Sequence, residues 1–121
     1  MKYRSLKHWK YELLDDMECE VDIPEEVETE FIMLSHNRLF VHTYYAWDGP
    51  SGPTFDTPTN MRASLFHDAL CQLIGEGLLD AKYRKYADEL LRTHMLEDQI
   101  KDADGLLVIY GAGGRVLYRA K

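Results

Sequence analysis

The residues that most constrain this chain are Asp48-Gly49-Pro50-Ser51-Gly52-Pro53. Proline fixes φ and lacks a backbone donor, and glycine costs a helix or strand interior conformational entropy, so this run is neither helix nor central strand. It is an ordered loop between two segments of different periodicity. Beyond it, Thr57-Pro58-Thr59-Asn60 reads as the entry to a helix, with proline suited to a first turn.

Before the loop the pattern has period two. Trp9, Tyr11 and Leu13 alternate with polar residues, as do Met17, Cys19, Val21 and Ile23, and Asp15-Asp16 interrupts the two registers. Alternation of this kind predicts half-buried strands. Acidic residues are dense from Glu12 to Glu30, with no Lys or Arg between Tyr11 and Asn37. Read functionally this is an acidic docking or metal-gathering surface; the favoured reading is the solvated face of strands. Phe31–Leu34, a turn at Ser35-His36-Asn37-Arg38, and the strand formers Leu39 to Trp47 predict a hairpin that delivers the chain into the loop.

After the loop the period changes. Met61, Leu65, Ala69, Leu70 and Leu73 give a helix a broad apolar face, and Gly75-Glu76-Gly77 supplies its stop. Asp80 is placed to cap a second helix from Ala81 to about Glu97, with Ala87, Leu90, Leu91 and Met95 at helical spacing. The two form a helical hairpin. The tail over 106–118, LLVIYGAGGRVLY, fits either a glycine-turned β-hairpin or a third helix.

The chain has 121 residues, 45% of them hydrophobic, enough for one domain with one modest core. Its net charge of −7 disfavours nucleic acid and anionic lipid as partners. No apolar run approaches the length of a membrane span, and MKYRSLKHWKYELLDD has no apolar signal region. The expected site of synthesis is therefore a cytoplasm, with Cys19 and Cys71 as reduced thiols that fit no zinc spacing.

Chemistry concentrates at His67-Asp68. Adjacent residues on a helix point about 100° apart, so each is expected to need its own partner. Asp88, mid-way along the second helix, is the group that would orient His67 through a direct hydrogen bond, leaving Asp68 for a cation. Asp48 and the Gly49 carbonyl are oxygen donors of the hard kind that calcium prefers. The plain alternatives are a histidine closing a hydrogen bond between helices, an exposed Arg84–Asp88–Arg92 stripe, and a simple turn at Asp48-Gly49. His36, His42 and His94 show no ligand spacing; a phosphohydrolase site combining the HD doublet with His42 and Asp88 would set His42 on a strand, where it fits poorly.

The run DGPSGPxxD, then HDALC, then YRKYADELLRTHM, resembles a family of unknown function carried by tailed phages and prophages. The same order is similar to that of phospholipases of the A2 type, which place a calcium loop before an H-D-x-x-Y helix and an orienting Asp on the next helix. The resemblance spans roughly Tyr45 to Tyr118. It implies His67 as general base, Asp88 as its orienting partner, and Asp68, Asp48 and the Gly49 carbonyl around calcium, acting on a lipid or other acyl ester. Cys71 stands where those families have Tyr. The alternative it implies is a non-catalytic virion or host-interaction protein that keeps the fold. The expected architecture is α+β: one domain over 1–121, mainly strands over 1–47, a metal-binding loop over 48–60, and a mainly helical 61–121 comprising a phospholipase A2-like helical hairpin and a C-terminal helix.

Overall fold

A computed structural model describes residues 1–5, 11–47, 58–98, 106–111 and 114–119. The fold is α+β. Strands β1 (Tyr3–Ser5), β2 (Tyr11–Leu13) and β7 (Ala46–Trp47) form an antiparallel three-stranded sheet in the order β1-β2-β7. Strands β3 (Met17–Glu20), β4 (Val27–Glu28), β5 (Ile32–Ser35) and β6 (Arg38–Val41) form an antiparallel four-stranded sheet in the order β3-β6-β5-β4. Helices α1 (Pro58–Gly75) and α2 (Arg84–Asp98) come next, the second entered through a 3-10 turn at Ala81–Tyr83. The chain closes with a hairpin of β8 (Leu106–Gly111) and β9 (Gly114–Arg119).

The period-two residues behave as alternation requires. Leu13, Met17, Ile32, Leu34, Leu39 and Val41 are essentially inaccessible, and Met17 faces Val41 and Leu34 faces Leu39 across the ladder. His36 and Asn37 both take positive φ, 52° and 58°, as the tight turn between β5 and β6 demands. The expected continuous strand from Leu39 to Trp47 is broken, however. Asp16 Oδ1 accepts from both the backbone N–H and the hydroxyl of Thr43, at 2.7 and 2.8 Å. Those bonds hold the Asp16 pKa below the ordinary carboxylate value. The chain bends there, Tyr44 takes φ 77°, and Ala46–Trp47 leaves β6 to pair with β2 in the other sheet.

Helix α1 is the central element. Every residue from Met61 to Phe66 is buried, as are Ala69, Leu70 and Leu73, because the sheets, α2 and β8 surround it. Two polar ties fix its position: Trp47 Nε1 donates to Ser64 Oγ at 3.1 Å, and the Tyr45 hydroxyl donates to Gln72 Oε1 at 3.1 Å. Gly77, at φ 74°, ends the helix as the left-handed residue that lets Leu78 N–H return to the Leu73 carbonyl. Asp80 caps the 3-10 turn, its side chain accepting from Lys82 N–H at 2.8 Å. Tyr86 accepts from the Asp22 N–H at 2.7 Å and so anchors α2 to the strand-rich half.

The expected C-terminal helix is corrected to a hairpin: among the described residues from 61 onward, helix extends to Asp98 and residues 106–111 and 114–119 are strand. Val108, Ile109 and Val116 are β-branched, and a helix would have carried Gly111, Gly113 and Gly114 in its interior at about 1 kcal/mol each. Pairing Leu106 with Arg119 through Gly111 with Gly114 instead sets Gly111 opposite Gly114 at the end of the ladder. No helix among the described residues is long and apolar enough to cross a membrane.

Candidate functional site

His67 and Asp88 meet across the two helices. The helices run antiparallel, as the cross-helix pairs Arg62–Asp98, Phe66–His94 and His67–Asp88 show. Nε2 of His67 lies 2.7 Å from Asp88 Oδ1. An ionised carboxylate only accepts, so Nε2–H is the donor and Nδ1 is left as the basic nitrogen of a neutral ring. Asp88 is 58% exposed and also lies 3.6 Å from Arg84 Nε, so the expected cross-helix bond and the expected surface pair coexist.

Asp68 is not independent of His67, contrary to the expectation that neighbours on a helix remain apart. Its Oδ1 lies 3.7 Å from Nδ1, so the ring has a carboxylate on each side. The separation of about 100° at the backbone is overcome because both side chains are long enough to converge. Asp68 raises the His67 pKa above its ordinary value, burial opposes that, and Asp88 raises it further. Asp88 is correspondingly lowered, first by its bond to His67.

Cys71 completes the cluster. One helical turn beyond His67 its side chain leans toward the N-terminus, placing Sγ 3.9 Å from Nδ1 and 3.7 Å from Nε2. The thiol therefore touches the imidazole. Burial raises its pKa, so it is a thiol at rest. Asp68 and Cys71 form one wall of a cleft of about 520 Å³; Phe31, Tyr44, Tyr45 and Trp47 line it too. The i, i+4 spacing of His67 and Cys71 was the signal in the sequence for this contact.

Asp48 and Gly49 lie outside the described residues. Calcium takes about six to eight oxygen ligands, whereas Asp68 is the one carboxylate among the described residues lining the cleft. Among the described residues no three His, Cys, Asp or Glu side chains cluster as a metal site would need. These residues alone do not make a calcium site. His42 faces Asp16, with Nδ1 4.0 Å from Oδ1, rather than the HD doublet.

A second polar cluster was not anticipated. Arg62, in the middle of the most buried stretch of α1, donates from Nε to both carboxylate oxygens of the fully buried Asp98, at 3.1 and 3.2 Å, and from Nη2 to Glu97 at 2.8 Å. Burial pushes Asp98 up to about 6 despite that pairing, and pushes His94 down to about 3. A lone arginine inside an apolar helical run was the signal for it. No family model, no curated protein and no solved structure matches this chain.

Proposed function

We propose that the chain is an acyl-ester hydrolase of the phospholipase A2-like kind, with His67 as general base and Asp88 as the residue that orients it. One observation carries the reading: Asp88 holds Nε2 at 2.7 Å, which leaves Nδ1 as the basic nitrogen beside Asp68 and Cys71 on the wall of an open cleft. A histidine held in one tautomer, in contact with Asp68 and Cys71, two residues that line a cleft of about 520 Å³, is suited to take a proton during attack on an ester carbonyl. The aromatic wall suits an apolar acyl group, and the net charge of −7 favours dispersed or zwitterionic substrates over anionic vesicles. The resemblance to phage proteins supports a lipid or other acyl ester met in an infected host as the substrate.

Calcium is a separable part of this proposal, resting on the resemblance and on Asp68, with Asp48 and the Gly49 carbonyl as its further ligands. The acid–base step assigned to His67 and Asp88 uses protein groups alone. If calcium binds the folded state only, thermal unfolding shifts upward by about 2.7 kcal/mol of stability at a hundredfold excess over the dissociation constant. Asp68→Ala should show no shift. Equal curves with calcium and with chelator refute the ion.

The test of the hydrolase reading compares wild type with His67→Ala on short-chain phospholipid, with calcium and with chelator. Turnover that disappears in the variant, with the fold intact by circular dichroism, supports it. Equal background in both proteins refutes it. A second reading then stands: a non-catalytic virion or host-interaction protein. Its own support is the pair of carboxylates flanking His67, which favours an imidazolium serving as an ionic lock between α1 and α2.

A further inference from the structure

We propose that Cys71 is the nucleophile of this site, so that the reaction passes through an acyl-thioester on the protein. The inference rests on the acyl-hydrolase reading and replaces attack by water with attack by the thiol. Three placements support it. Cys71 Sγ lies 3.9 Å from Nδ1 and 3.7 Å from Nε2 of His67, beside the ring rather than on the axis of either nitrogen, so a turn of the cysteine side chain is what would align the thiol with Nδ1; catalytic contacts are commonly poorly aligned before substrate binds. Nε2 is held by Asp88 at 2.7 Å, which brings a nucleophile, a base and an orienting carboxylate into one cluster. The thiol also lines the cleft where an ester would enter.

The alternative role for Cys71, packing alone, does not account for a thiol that meets both an imidazole and the cleft. Cys19 is the contrast within the same chain. It is buried in the apolar core and pushed up to about 12 by that burial.

The chemistry balances on protein groups. As Sγ bonds to the acyl carbonyl carbon, the thiol proton passes to Nδ1. The C–O bond to the leaving alcohol breaks, and the alkoxide takes that proton from the imidazolium. Water then attacks the thioester carbon and gives a proton to Nδ1. The C–S bond breaks and the thiolate recovers the proton. The net change is ester and water to acid and alcohol, with His67 neutral at the start and the end. Because burial keeps the thiol protonated at rest, proton transfer accompanies attack rather than preceding it.

The experiment is intact-mass analysis and peptide mapping after incubation with p-nitrophenyl butyrate, alongside steady-state hydrolysis and the rate of alkylation by iodoacetamide. The expected result is one butyryl group on Cys71 and none on Cys19, removed by hydroxylamine. Cys71→Ala should lose both adduct and turnover, and His67→Ala should slow acylation and alkylation of Cys71 by about a hundredfold or more. Turnover retained in Cys71→Ala but lost in His67→Ala overturns the nucleophile while leaving the hydrolase reading standing. Absence of turnover and of the adduct in wild type, with alkylation of Cys71 equal in wild type and His67→Ala, overturns both. A stable adduct that does not turn over upholds Cys71 as nucleophile and refutes hydrolysis as the function.

Discussion

Asp88→Asn separates the charge of Asp88 from its shape. Asparagine retains a carbonyl oxygen that accepts from Nε2–H of His67 at the position where Asp88 Oδ1 lies at 2.7 Å, and it removes the negative charge. His67 is raised above its ordinary 6.5 by Asp68 and, after the opposing effect of burial, by Asp88. In the variant it should therefore titrate lower than in wild type while remaining held up by Asp68. The sign for stability comes from the two titrations together. A histidine whose folded pKa is raised contributes stability that is full below the unfolded value and is lost as pH rises through the folded value. Asp88, lowered from its ordinary 3.8, contributes above that value and loses its contribution as pH falls through its folded pKa. The pair is thus stabilising from about pH 4 up to the raised pKa of His67, and not above it. Because Asp88 is 58% exposed, solvent screens the interaction to about 0.2–1 kcal/mol. Loss of the Arg84–Asp88 pair adds a few tenths of a kcal/mol, roughly independent of pH in this range. The assay is an NMR titration of the His67 ring together with urea unfolding near pH 5.5 and near pH 9. The variant should cost about 0.5–1 kcal/mol at the lower pH and only the few tenths at the higher one. An unchanged His67 midpoint, or equal destabilisation at the two pH values, refutes the charge coupling.

Two further perturbations probe the rest of the framework. Arg62→Met strands the fully buried Asp98 without its cation and should cost about 3–5 kcal/mol near neutral pH by urea unfolding. Without Arg62 to lower it, Asp98 should take up a proton above about pH 6, so the cost should shrink as the pH falls from alkaline values toward about 6, and adding Asp98→Leu should recover much of it; a cost that is the same near pH 6 and near pH 9 counts against a buried ion pair. Tyr44→Gly relieves a φ of 77° at a side chain that is 62% exposed and should raise stability by about 0.5–1 kcal/mol. Since Tyr44 lines the cleft, the same change should raise KM for an acyl ester more than it lowers kcat, and a destabilised variant would show that the bend at Thr43 carries no strain.

Local structure was legible in the order of residues. Period two before the loop and a helical period after it specify strands and then helices, because each period places apolar side chains on one side only of its own element. Gly77 and Asp80 end one helix and begin the next through bonds among near neighbours, so both could be read directly. The pairing of His67 with Asp88 was legible as well, since two helices joined by a short connection must run antiparallel and return Asp88 to the level of His67. Long-range packing settled the remainder. Thr43 is pinned by Asp16, 27 residues earlier, and that long-range bond, rather than any local propensity, breaks the strand and turns Ala46–Trp47 into the other sheet. The tail satisfied both helical and strand rules, and cross-strand pairing from Leu106–Arg119 to Gly111–Gly114 resolved it, because pairing sets Gly111 and Gly114 at the end of a ladder rather than inside a helix. The charge environment of His67 likewise depends on how side chains converge in three dimensions. A carboxylate on each face and a thiol one turn away make a histidine whose protonation is set by its neighbours, which residue order alone does not specify.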